Sequence, residues 1–185
     1  MLLHLIAPHI TEEVWEIIGN KGYLSLTPWI RYDEKVLTEE NKFKWNLMNN
    51  IIGDINNIKN LIKKEFLEKI SLIIADKWKY HLYSKLFNLI DKTMDQGEIM
   101  KQLMKESELK LYGKFVSQIV NRILKNIGKY SKYSLTSADE FAFFKDIKTI
   151  IEKKYNTVVE ILSENEIKDV KASKALPGKP VIIIS

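Results

Sequence analysis

From Leu109 to Ala138 the chain contains no Asp and no Glu, yet it holds Lys110, Lys114, Arg122, Lys125, Lys129 and Lys132. Within that run Tyr112, Val116, Ile119, Val120, Ile123 and Ile127 recur at three- and four-residue intervals, which stacks them on one side of a helix that must be covered by a core. Gly128 supplies a stop. Lys114, Gln118, Arg122, Lys125 and Lys129 then fall on the opposite face, each about 5 to 6 Å from the next. An ordinary surface helix intersperses Glu to gain i,i+4 pairs, so the missing acids point to a polyanionic partner rather than to solubility. The competing reading is a solvated lysine face on an amphipathic helix.

The charge is unevenly spread. Residues 1–68 carry 8 basic and 10 acidic side chains, net −2, whereas residues 69–185 carry 21 and 14, net +7. With 45 % hydrophobic and 29 % charged residues, the composition is that of a folded, soluble protein with one or two cores. No cysteine is present, which removes disulfides, a thiolate nucleophile and Cys-based zinc sites and fits a cytoplasmic setting. No apolar run approaches the roughly 20 residues of a membrane span. Glu12, Glu13 and Glu16 stand where a signal peptide would be basic.

Met1 to Ile6 reads as the last turns of a helix whose beginning is missing, as in a piece cut from something larger. Pro8 suits the first residue of the next helix, with Val14, Trp15, Ile17 and Ile18 as its apolar side and Gly19 as its end. Gly22 to Asp33 reads as an irregular connection. Thr38 caps a long helix with Glu39 and Glu40 in its first turn and a stripe of Trp45, Met48, Ile51, Ile52, Ile55, Ile58 and Ile62.

Mixed charges then interrupt the pattern, which divides the chain into a helical part at 1–64, a linker at 65–68 and a second part at 69–185. Ile70–Ala75 suits a strand, and Asp76 caps a helix containing Trp78, Leu82, Leu86, Leu89 and Ile90. A short helix follows around Glu98–Lys105, and Ser137 with Glu140 forms a capping box for a helix holding Phe141, Phe144, Ile147, Ile151 and Tyr155. Thr157–Leu162 and Val181–Ser185 close the chain as strands. The fold class is therefore mostly α, a helix-bundle remnant followed by a small α+β C-terminal domain whose sheet is packed by helices.

The string Leu-Ile-Ala-Pro-His-Ile-Thr-Glu-Glu-Val-Trp-Glu-Ile-Ile at Leu5–Ile18 resembles the last part of the helical anticodon-binding domain of class I aminoacyl-tRNA synthetases of the Leu, Ile and Val group. Thr27-Pro28-Trp29 looks like that domain's aromatic and proline pair in reversed order. Ala172-Ser173-Lys174-Ala175-Leu176-Pro177-Gly178-Lys179-Pro180 before four aliphatic residues, and Ala75-Asp76-Lys77-Trp78-Lys79, resemble the C-terminal region of archaeal-type leucyl-tRNA synthetases. The resemblance implies that the second part reaches the long variable arm of leucine tRNA without reading the anticodon. The class's His-Ile-Gly-His and Lys-Met-Ser-Lys-Ser motifs have no match here, so this stretch is expected to bind tRNA without ligating it. It implies no cofactor in this stretch, ATP and magnesium being used by the parent ligase.

His4, His9 and His81 are too scattered for a metal or triad, the acids near Glu12 are explained by the helix dipole, and no Gly-rich phosphate loop is present. Two surfaces remain. One is the basic face of Lys110, Lys114, Arg122, Lys125, Lys129 and Lys132, extended by Tyr130 and Tyr133, which either stack on an unpaired base or pack on the domain. The other is the loop of Lys171, Lys174 and Lys179, whose backbone groups can meet base edges while its lysines hold phosphates. The expected partners are leucine tRNA and the rest of the parent synthetase, with no membrane, and self-association through Leu2, Leu5 and Ile6 is possible. The reading from another class is a module that docks a protein or an anionic membrane surface through the amphipathic helices.

Overall fold

The computed structural model describes residues 2–29, 31, 34–64, 66–167 and 171–185. By packing, the chain falls into two compact units, 1–38 and 39–185. In the first unit a 3-10 turn at Leu2–Leu5 precedes helix α1, Pro8–Ile17. Glu12 fixes the chain that follows, because its carboxylate accepts from the backbone N–H groups of Leu24 at 2.6 Å and Ser25 at 2.9 Å. Leu2, Leu5, Ile6 and Ile17 are exposed. Part of the expected irregular connection, residues 30, 32 and 33, lies outside the described residues.

The second unit opens with α2, Glu39–Ile62. Its buried residues are Leu47, Ile51 and Ile55, with Phe43 and Met48 packed beside them. That stripe is rotated from the expected one, and Trp45 is 63 % exposed. The apolar residues of α2 are numerous enough to draw more than one face, and contact with the sheet selects the one at 43, 47, 51 and 55.

Three strands follow as expected, β1 Lys69–Ile74, β2 Val158–Ser163 and β3 Val181–Ile184. The central strand β1 pairs parallel with β2 and antiparallel with β3, giving the order β2-β1-β3. The aliphatic run of β1 suits a strand covered on both faces, and Ile70, Leu72, Ile73 and Ile74 are all buried. Helices fill the long connection between β1 and β2: α3 Lys77–Ile90, α4 Gln96–Leu103, α5 Ser107–Lys110, α6 Gly113–Lys125 and α7 Ser137–Tyr155. The described residues are thus mostly helical with a small mixed sheet.

Side chains set the helix starts. The Asp76 carboxylate accepts from the N–H of Lys77 at 2.7 Å, and Asp95 does the same for Glu98 at 2.8 Å. For α7 the cap is Thr136, whose hydroxyl accepts from the N–H of Asp139 at 3.2 Å. The expected capping box of Ser137 and Glu140 is therefore not formed. Glu140 points inward, fully buried, and its carboxylate accepts from the N–H of Gly178 at 2.9 Å.

Two hydrophobic cores result. One joins α2, the sheet and α7 around Ile55, Ile70, Leu72 and Phe144. The other joins α3, α4 and α6 around Leu82, Leu86, Leu103, Val116 and Val120. Ala175 enters the first and the next residue, Leu176, enters the second. The segment before β3 is thereby anchored in both.

Candidate nucleic-acid interface

Helix α6 buries Val116, Ile119, Val120 and Ile123, as its periodicity requires. Tyr112, just before it, stacks on Trp78 with ring centroids 4.3 Å apart. The helix ends at Lys125, and a 3-10 turn at Ile127–Lys129 follows. Lys110 sits in α5 and Lys129 in the turn, so the cations form a broken line over three short elements instead of one straight row. Asn126, a poor residue for a helix interior, stands at the break with φ −140°.

The individual cations differ in setting. Lys110, Lys114, Lys125 and Lys129 are exposed. Arg122 turns sideways and donates from Nη2 to the Lys174 carbonyl oxygen at 3.2 Å, while its buried Nε has no partner among the described residues. Lys132 forms an ion pair with Asp91, so an acid distant in sequence neutralises part of the acid-free run. Lys171 and Lys174 are exposed on the segment leading to β3.

That segment is held from below. Lys79, only 2 % exposed, places Nζ 2.7 Å from the Glu164 carboxylate, 2.7 Å from the Ser173 carbonyl and 2.9 Å from the Ala175 carbonyl. Burial pushes the Lys79 ammonium below its ordinary range, and the Glu164 carboxylate acts against that shift. Three successive carbonyls, Ser173, Lys174 and Ala175, thus take cationic donors.

A tight turn follows, with Leu176 and Lys179 exchanging backbone hydrogen bonds of 3.0 and 2.8 Å. Pro177 stands second and Gly178 third with φ +69°, the type II arrangement. A Cβ on Gly178 would lie 2.9 Å from Phe43 Cζ, so the turn rests directly on α2. Much of the loop's backbone is therefore already engaged within the protein, contrary to the expectation that it is offered to base edges. What the loop presents is Lys179, whose Nζ lies 4.3 Å from the Tyr130 ring centroid. That contact takes one face of the tyrosine expected to stack on a base. Tyr133 packs its ring 5.3 Å from that of Phe43.

The turn and the end of α6 bring Arg122, Lys129, Lys174 and Lys179 to one groove of about 690 Å³. Its other wall is α2, which contributes Asn49, Asn50, Gly53, Asp54 and Asn57. Among the described residues, Asp54 is the one carboxylate residue in that lining. Lys179 is pushed below its ordinary range by burial first and then by Arg122, with Lys129 adding to the effect and Asp54 opposing it. The α2 wall was missed from sequence, although asparagines recurring inside a helix are a signal that something other than helix propensity selects them. Among the described residues no group of three or more His, Asp or Glu is placed to hold a metal, and no helix is long and apolar enough to cross a membrane.

Residues 1–74 match the anticodon-binding domain of tRNA ligases. Beyond that domain, the chain is similar throughout to archaeal leucine–tRNA ligases. It is 32 % identical over 184 residues to that of Archaeoglobus fulgidus, 31 % over 183 to that of Methanococcus maripaludis and 29 % over 183 to that of Pyrococcus furiosus. These alignments cover 98 to 100 % of this chain and 18 % of each relative. The resemblance seen in the short motifs thus extends over the whole chain.

Proposed function

We propose that this chain is the tRNA-binding C-terminal portion of a leucyl-tRNA synthetase, which grips the long variable arm of leucine tRNA and orients it for leucylation at a catalytic domain elsewhere in the protein. The observation that carries this is the gathering of Arg122, Lys129, Lys174 and Lys179, from two distant segments, around one groove whose lining holds a single carboxylate among the described residues. Exposed Lys110, Lys114 and Lys125 continue the positive surface, and Lys171 is likewise exposed on the segment leading to β3. Such a surface neutralises phosphates. Discrimination would come from the shape and unpaired bases of the arm, since an RNA duplex hides its base edges in a deep, narrow groove. In this reading the chain itself carries no ligase chemistry, and ATP and magnesium act at the distant domain.

One observation favours the alternative of a protein-docking or anionic-membrane module. Leu111, in the turn between α5 and α6, is 81 % and Phe115 50 % exposed beside Lys110 and Lys114, apolar groups among cations of the kind an anionic membrane surface attracts. A gel shift with long-armed leucine tRNA and a short-armed tRNA, run against sedimentation with anionic vesicles, separates the two. Preference for the long-armed tRNA, lost when Lys125, Lys129 and Lys179 are changed to Glu, is the expected result. Unchanged affinity in that triple variant rules out the basic surface, and vesicle binding without tRNA binding selects the alternative.

A further inference from the structure

The α2 wall of the groove is made of residues that helix stability does not select. Asn49 and Asn50 are exposed in the middle of a helix, where Asn is a poor former and Gly53 a worse one. Neither asparagine side chain has a hydrogen-bond partner among the described residues. At Gly53 an added Cβ would meet nothing within 4 Å, so the missing side chain leaves open space rather than admitting a neighbour.

Facing this wall are cations with little to balance them. Arg122, Lys129 and Lys179 lie across from Asp54, the one carboxylate residue of the lining among the described residues. The volume of about 690 Å³ falls within the roughly 300–1,000 Å³ usual for ligand sites. One wall therefore offers amide donors and acceptors, the groups that pair with base edges, and the other offers positive charge. A phosphate alone would need the cations but not the amides.

We propose that this groove receives one unpaired nucleotide of a bound RNA, with its phosphate among Arg122, Lys129 and Lys179 and its base laid over Gly53 against Asn49 and Asn50. The inference rests on the reading of this chain as tRNA-binding, and it adds α2, which lies within the matched anticodon-binding region, to the contact surface. Asp54 serves as an acceptor for a base amino group. Lys179, already crowded by like charges, gains a counter-ion when the phosphate arrives.

The test is fluorescence anisotropy on the full chain with two RNAs, a long-armed leucine tRNA and a blunt duplex without unpaired bases. Gly53→Leu fills the groove while leaving every charge in place, and replaces a weak helix former by a strong one. Asn49→Ala with Asn50→Ala removes the amides without filling the space. Loss of one base contact predicts about 5- to 150-fold weaker tRNA binding in both variants, with duplex binding unchanged. Wild-type affinity for the tRNA in Gly53→Leu overturns the nucleotide site and leaves the tRNA reading standing, as does an equal loss for tRNA and duplex. A wild-type chain that binds neither RNA overturns both.

Discussion

Lys79 and Glu164 meet at 2.7 Å beneath the last loop of the chain, with the lysine 2 % and the glutamate 14 % exposed at their side chains. The same ammonium reaches the carbonyls of Ser173 and Ala175. A charge withdrawn this far from water is tolerated only when paired and hydrogen-bonded. Lys79 thereby holds the backbone on either side of Lys174.

Replacing Lys79 by Met should therefore cost about 3–5 kcal/mol, since it strands a largely buried carboxylate and two carbonyls. Urea unfolding followed by tryptophan fluorescence measures this. Adding Glu164→Gln should recover part of the loss by removing the stranded charge. A double variant no more stable than Lys79→Met would show that the pair is not the source.

The Glu140 carboxyl makes stability depend on pH. Burial raises it to about 7, and the N–H of Gly178 acts in the opposite direction. Between the ordinary value of 4.5 and about 7 the folded chain holds a proton here that the unfolded chain has released. This contribution to stability is complete below 4.5 and is lost as pH rises toward 7. The difference amounts to at most about 3 kcal/mol. Glu140→Gln keeps an acceptor for Gly178 and should flatten this slope, raising stability above pH 7. Denaturant midpoints at pH 5 and pH 8 for both proteins decide it.

Gly178→Ala should destabilise by about 1–3 kcal/mol, because its φ of +69° disfavours a side chain and its Cβ would meet Phe43. Phe43→Leu in the same chain should relieve the steric part and not the backbone part. Melting curves of the two variants separate these contributions.

Affinity for RNA should fall steeply with salt. If about five phosphates are neutralised, the slope of roughly −0.9 per contact gives about a 500-fold loss between 50 and 200 mM. A Lys132→Ala change should leave that slope nearly as it is, because Lys132 already faces Asp91. Lys125→Ala or Lys129→Ala should each reduce it by about one unit. Titrations at four salt concentrations are sufficient.

Much of the fold was legible because local rules and tertiary packing agreed. The aliphatic run at β1, the Asp76 cap, the apolar spacing of α6 and that of α7 from Phe144 onward appear where periodicity placed them, whereas Phe141 is exposed. The errors fall where distant residues decide. In α2 several apolar faces were available and only contact with the sheet chose among them. Glu140 has the spacing of a capping residue, but its partner is Gly178, 38 residues away. Arg122 has the spacing of a surface cation and is drawn to a carbonyl 52 residues away. The groove itself joins segments from α2, the end of α6 and the final loop, and no window of sequence contains all three.

Ala175 and Leu176 are consecutive, yet each is sealed in a different core. The peptide between them works as a ruler with no slack. Ser173 or Lys174 can change identity without altering that measure, but one residue added or removed between Ala172 and Lys179 would unseat both compartments together. Length, more than chemistry, is what this part of the chain must inherit.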